Sequence, residues 1–222
     1  NMFDRIVGRY DLLNTLLSAG RDRAWRQALR RAVAERKPAV GLDLCCGTGD
    51  VALELKRGVP GLELLVAADF SFPMCREASR KFARCNNPPA TCCADGLLLP
   101  FADQSFDFVS VAFGVRNFES LNAGLAEIAR IIRPGGMTAI LEFAPPRGRF
   151  LKALYKPYLS MAIPLAGKIV SGDSGAYQYL ASSIQSFLPP EQMTECLLGA
   201  GFQDPKVHKL SFGVTCLYTA SR

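Results

Sequence analysis

From Val40 to Phe143, short apolar runs alternate with stretches of helical spacing, and this pattern restricts the possible folds more than any other feature. Val40 to Cys45 and Leu62 to Ala68 read as strands, as do short runs around Thr91, from Phe106 to Phe113 and from Met137 to Phe143. Between them, Gly47 to Lys56, Pro73 to Ala83 and Glu119 to Arg133 read as helices. In the last, Leu121, Leu125, Ile128 and Ile132 mark one stripe. Alternation of this kind implies βαβ crossovers and a mostly parallel sheet. The run Phe108-Val109-Ser110-Val111-Ala112-Phe113 is apolar on both faces, as a strand covered by helices on both sides should be. After a helix near Glu191 to Ala200 the pattern changes. Lys206 to Leu210 and Val214 to Thr219 lie only a few residues apart around Gly213, so they form a hairpin and at least one strand is antiparallel.

The expected fold is therefore α/β: a doubly wound, mostly parallel sheet of seven strands ending in an antiparallel hairpin. Two helices precede it, the first carrying Phe3, Ile6, Val7, Tyr10, Leu13 and Leu17 at helical spacing. At 222 residues the chain suits one sizeable domain and is short for two. Within it, 1–37 reads as a helical cap, 38–146 as a cofactor-binding core, 147–188 as a helical lid or substrate insertion, and 189–222 as the final helix and hairpin.

The sharpest local signal is Leu42-Asp43-Leu44-Cys45-Cys46-Gly47-Thr48-Gly49-Asp50, placed where a strand becomes a helix. Glycine there lets the backbone turn tightly and approach a ligand with no Cβ in the way. Gly47-x-Gly49-x-x-Ala52 fits a dinucleotide fingerprint, with Asp69 about twenty residues on for a ribose hydroxyl. Three further features favour a different nucleotide. Asp43 ends the first strand, where a cationic ligand would want a carboxylate. Asp95-Gly96 follows the third strand, placed to accept from an adenine amino group. Arg133-Pro134-Gly135-Gly136 precedes the fifth strand, and the chain closes with its hairpin. A glycine loop with acids ending the second and third strands resembles class I S-adenosylmethionine-dependent methyltransferases, whose fold is Rossmann-like.

Longer stretches resemble one family, the C-methyltransferases of ubiquinone and menaquinone biosynthesis. Met2-Phe3-Asp4-Arg5-Ile6 with Arg9-Tyr10-Asp11-Leu12-Leu13-Asn14 is similar to its opening signature, and Asp43 to Asp50 to its cofactor loop. Leu99-Pro100-Phe101 through Ser105-Phe106-Asp107 follows its third-strand exit. Phe113-Gly114-Val115-Arg116-Asn117 is its most specific piece, and Gly172-Asp173 with Tyr177-x-Tyr179-Leu180-Ala181-x-Ser183-Ile184 matches its late signature. The resemblance implies S-adenosylmethionine as cofactor, with contacts at Thr48, Asp69, Asp95, Gly96 and Ala112; Asp43, Gly47 and Gly49 join them from the reading of the loop. Ala112 stands where some relatives have serine, and Leu97 where many have an acid. The implied reaction is C-methylation of a prenylated benzoquinol or naphthoquinol. Arg116 and Asn117 are the candidate catalytic residues; Tyr10, Asp173, Tyr177 and Tyr179 are the candidates for shaping the quinol pocket. No metal is expected. A small-molecule O- or N-methyltransferase of the same fold is the rival reading, and an RNA-binding methyltransferase a more distant one.

Charge and cysteine usage bear on the surroundings. The net charge is +6, concentrated in Arg21 to Lys37 and in Arg147 to Lys168. Such a surplus suits nucleic acid or anionic lipid. No aromatic stacking platform accompanies it, which argues against nucleic acid. Phe150 to Val170 is apolar and basic, the character of a stretch at a lipid interface. Nothing in the first residues reads as a secretory signal, and no apolar run approaches the ~18 residues of a spanning helix. A cytoplasmic protein with a peripheral contact at the inner face of an anionic membrane is expected, and a homodimer is left open. The eight cysteines form no CxxC pair and only His208 could join them as a ligand, so free thiols are expected.

Overall fold

The computed structural model describes residues 11, 15, 18–145, 179 and 182–222. The order of elements is α1 (Asp22–Ala34), β1 (Val40–Leu44), α2 (Asp50–Gly58), β2 (Leu64–Asp69), α3 (Phe72–Phe82), β3 (Ala90–Cys93) and β4 (Phe106–Ala112). It continues with α4 (Leu121–Ile131), β5 (Ile132–Phe143), α5 (Pro190–Gly199), β6 (Gln203–Leu210) and β7 (Thr215–Ser221). Two single 3₁₀ turns, Val115–Asn117 and Ser211–Gly213, lie at strand ends.

The seven strands form one sheet in the order β3-β2-β1-β4-β5-β7-β6. Pairings from β3 through β5 are parallel; β7 runs antiparallel to both β5 and β6. The doubly wound expectation and its closing hairpin are both met. Chain direction across the sheet reverses between β1 and β4, and a ligand crevice belongs at the carboxyl ends of strands at such a point.

Helices cover both faces, which is why the central strands are apolar throughout rather than alternating. On one side Trp25, Leu29 and Val33 of α1, Leu55 of α2 and Phe82 of α3 pack on Leu65, Phe108, Ala139 and Leu141. On the other, Leu125 and Ile128 of α4 and Met193 and Leu197 of α5 pack on Leu42, Val109, Val111 and Ile140. The successive β5 residues Ala139, Ile140 and Leu141 thus feed opposite cores, as the period of a strand requires. Two helix starts are set by serine caps. Ser71 Oγ accepts from the Met74 amide at α3, and Ser120 Oγ from the Ala123 amide at α4.

Three of the boundary differences from the sequence reading have a visible cause. β5 begins at Ile132 rather than Met137, because Gly135 donates to the Arg222 carbonyl and Arg222 donates back to Gly136, extending the ladder. β6 begins at Gln203, which pairs with Ser221 ahead of a register shift. The stretch from Gly47 is a turn, and helix starts only at Asp50, since Gly47 and Gly49 both have left-handed φ.

Candidate active site

The turn after β1 is built from positive φ values at Cys45 (57°), Gly47 (54°) and Gly49 (89°). At Gly49 a Cβ would stand 2.5 Å from the Phe82 ring, so both conformation and packing call for glycine. Asp69, the last residue of β2, fastens this turn to the next one. Its Oδ2 accepts from the Gly47 amide at 2.8 Å and its Oδ1 from the Ser71 amide at 2.9 Å. A carboxylate receiving two backbone N–H groups is fixed in orientation, facing the cavity that it helps to line.

Over this turn lies a cavity of about 480 Å³, lined by Gly47, Asp69, Asp95, Gly96, Ala112 and Asn117 among others. That is within the range of small-molecule sites, about 300–1,000 Å³. Its walls come from the carboxyl ends of β1, β2, β3 and β4, on both sides of the reversal point. Asp95 is exposed, and its Oδ1 accepts from the Leu97 amide at 2.9 Å. Gly96 is buried beneath the Phe118 ring, where a Cβ would come within 3.0 Å. Exposed Phe70 adds a flat apolar wall beside Asp69.

Asp43 is 1% exposed within β1 and lies behind this surface, not in it. Its Oδ1 accepts from Ser110 Oγ at 2.8 Å, while Oδ2 has no hydrogen-bond partner among the described residues. Burial pushes its pKa up to about 7, against the Ser110 hydrogen bond that lowers it. Between the ordinary carboxylate value near 4 and about 7, the fold holds a proton that the unfolded chain has released. Stability should therefore fall as pH rises through that window. We expect urea denaturation to show wild-type protein losing about 2–4 kcal/mol from this source between pH 4.5 and 8. Asp43→Asn should be flatter over the same range; parallel curves for the two proteins would refute the assignment.

The Phe113-to-Asn117 stretch leaves β4 through Phe113, itself at φ 57°, into the 3₁₀ turn. Arg116 folds inward. Its Nη1 donates to the Phe113 carbonyl and, at 2.8 Å, to Glu142 Oε1. The Arg116 side chain is 6% exposed and that of Glu142 is fully buried. The guanidinium also sits 5.7 Å from the centre of the Phe143 ring. Desolvation pushes the Glu142 carboxyl up, and Arg116 beside it pulls the value back. Asn117, next along, lines the cavity, and its Oδ1 accepts from the Tyr179 hydroxyl at 3.1 Å. With Oδ1 engaged, the Nδ2 hydrogens are the donors left for a ligand.

The ubiE/COQ5 methyltransferase family model matches residues 1–222. The chain belongs to this family. The demethylmenaquinone methyltransferase of Thermus thermophilus is 41% identical over 221 residues, covering 100% of both chains. The ubiquinone/menaquinone biosynthesis C-methyltransferase UbiE of Geotalea daltonii is 37% identical, covering 100% of this chain and 94% of its own. Among solved structures, a SAM-dependent methyltransferase from Thermotoga maritima superposes with a TM-score of 0.70, over 99% of this chain and 98% of its own. At 18% identity that likeness concerns the fold.

Within this ubiE/COQ5 methyltransferase, the residues singled out from the sequence divide into three groups. Gly47, Asp69, Asp95, Gly96, Ala112, Asn117 and Tyr179 share the cavity. Asp43, Thr48, Gly49 and Arg116 shape it without lining it. Thr48 Oγ1 donates to Asp11, and Lys81 Nζ, close to Thr48 at 3.0 Å, bonds Asp11 and Asp50 as well. Arg116, a candidate catalytic residue from the sequence, is turned inward onto the fully buried Glu142 carboxylate, which would be costly to leave unmatched. Tyr10, Asp173 and Tyr177 lie outside the described residues. Sequence reasoning missed Glu142, although a lone acid inside Ala139-Ile140-Leu141-Glu142-Phe143 was a visible signal, since buried acids come paired. Three of the thiols near the site are poor candidates for nucleophiles. Burial pushes Cys45 and Cys46 well up and Cys75 up to about 12.

Proposed function

We propose that the chain transfers a methyl group from S-adenosylmethionine to a ring carbon of a prenylated quinol, demethylmenaquinol or the corresponding 2-methoxy-benzoquinol. The observation that carries this reading is the cavity shared by Asp69, Asp95 and Asn117, in a chain matching its family along all 222 residues. The relatives' names favour quinol methylation over the rival O- or N-methylation of a small molecule. The residues present fit the cofactor: an acid held in a fixed orientation at the end of β2 for ribose hydroxyls, a second acid for an amino group, and a close-approach glycine turn beside them. S-adenosylmethionine bound there supplies an electrophilic methyl group.

The protein's part is to place and ionise the acceptor. A ring carbon is a weak nucleophile until a phenolic hydroxyl with a pKa of about 10 loses its proton, which costs roughly 4 kcal/mol at pH 7. In this proposal Asn117, held in orientation by Tyr179, donates from Nδ2 to the quinol oxygen while the phenolic proton passes to water; the ring proton displaced by the incoming methyl group leaves to water as well. Arg116 is a positioning residue that locks the turn carrying Asn117 through its bonds to Phe113 and Glu142. Asp173, Tyr177 and Tyr10 are assigned to the quinol pocket, and the segment 147–188 to the prenyl side. A peripheral contact with anionic membrane, on the cytoplasmic side, is part of the same reading. No helix among the described residues is long and apolar enough to cross a membrane.

The direct test is turnover of a short-chain demethylquinol with labelled methyl donor, with NAD offered separately in calorimetry. Ring-carbon labelling is the expected result. NAD binding without S-adenosylmethionine binding, or label on oxygen alone, would overturn the reading.

A further inference from the structure

Seven large apolar side chains are exposed among the described residues, and they are not scattered. Phe70 and Phe72 follow β2, Leu98 follows β3, Tyr179 lines the cavity, and Phe212 sits between β6 and β7. Because β7 is antiparallel to β5, with Thr215 opposite Phe143, the β6–β7 turn also lies at the carboxyl ends of the parallel strands. Five of the seven thus belong to the one edge on which the cavity opens; only Leu64 and Leu198 do not.

Phe212 is the extreme case, 91% exposed. It is the middle of three successive left-handed residues, Ser211 (φ 47°), Phe212 (φ 60°) and Gly213 (φ 86°). Side chains with a Cβ adopt that conformation at a cost in free energy, and no burial of the ring among the described residues offsets it. The turn is nonetheless held in place, since Trp25 Nε1 donates to Ser211 Oγ at 2.9 Å. That bond brings the start of α1 to the same corner, with exposed Arg21 and Arg23, while exposed Lys209 precedes the turn on β6. The exposed acids of this edge, Asp95 and Glu119, line the cavity instead.

We propose that this carboxyl edge docks on an anionic lipid bilayer, with Phe212 as the inserted anchor and Lys209, Arg21 and Arg23 meeting the lipid headgroups. A projecting aromatic flanked by cations is the chemistry of an interfacial contact. The inference rests on the quinol reading for its purpose, which is to open the cavity toward a substrate whose tail lies in the bilayer.

Trp25 is the chain's sole tryptophan, and it touches this corner, so its emission reports whether the corner meets lipid. The full chain is mixed with phosphatidylcholine vesicles, with and without phosphatidylglycerol, carrying normal or brominated acyl chains. Wild-type protein should co-sediment with the anionic vesicles, less so as salt rises, and brominated chains should quench Trp25. Phe212→Ser should lower partitioning roughly tenfold or more and abolish quenching. Lys209→Glu should weaken the anionic preference. Both variants should turn over a short-chain, water-soluble demethylquinol as the wild type does. Vesicle binding without quenching, unchanged by Phe212→Ser, would overturn the proposal by placing the contact elsewhere. So would a wild-type dimer that Phe212→Ser dissociates, since a second copy would then cover the ring. Absence of turnover on the soluble quinol would count against the proposed reaction alone, and the vesicle readings would still judge the docking surface.

Discussion

Arg116→Ala should lower the stability of the fold by about 3–5 kcal/mol, because it strands a fully buried carboxylate at Glu142. It should also cut turnover by roughly 10²–10³-fold, the scale of losing a preorganised group at a reacting centre. Glu142 is already pushed up by burial, and without Arg116 its carboxyl rises further. A folded-state value above the unfolded one means stability is retained at low pH and lost as pH rises. The variant's deficit in urea denaturation should therefore be smaller at pH 5 than at pH 8. Replacing both partners with apolar residues should recover most of the stability and none of the turnover. Glu142→Gln decides how Arg116 acts, since it keeps the guanidinium and removes its countercharge. If Arg116 positions Asn117, kcat falls and the pH dependence of kcat stays where it was. A shift of that profile to lower pH would show instead that the freed charge acts on the phenol directly.

Asp69→Ala should weaken S-adenosylmethionine by at least about 3 kcal/mol in calorimetry, more than a hundredfold. The carboxylate accepts from two backbone amides, each such charged hydrogen bond being worth about 1.5–3 kcal/mol, and its loss frees both the Gly47 and the Ser71 turns. Asp69→Asn keeps one acceptor but sets an NH₂ group against an N–H donor, so it should recover only part. Affinity for Asp69→Ala within threefold of the wild type would remove Asp69 from the cofactor site.

What was legible in the chain follows from which interactions are local. The alternation of runs marks strands and helices because each element buries a face of its own period, and Gly47 and Gly49 mark their turn because few other residues adopt those φ values. The order of acids at strand ends was readable for the same reason: Asp69 ends β2, and Asp95 comes just after β3. Arg116 was readable as special and unreadable in its role. Its partner lies 26 residues away on β5, and only the pairing of β4 with β5 brings the two together. Thr48 is similar, since Asp11 and Lys81 reach it from separate helical stretches and draw its hydroxyl away from the cavity. Phe212 left no signal in the sequence, because exposure is a property of the folded surface and leaves no periodic trace.

The rings of Trp25, Phe113 and Phe143 close into a triangle, with centroids 5.9, 6.0 and 4.6 Å apart. This ties α1 to the ends of β4 and β5, so one side of the cavity rim behaves as a single rigid piece. A change on α1 that never touches a ligand is transmitted to Phe113 and to the strand carrying Glu142. The opposite rim, with Phe70 and Leu97, has no such bracing among the described rings. Residues can therefore be exchanged one at a time on the Phe70 side, beside the cofactor acids, whereas on the Phe113 side, which leads into Asn117, three would have to change together.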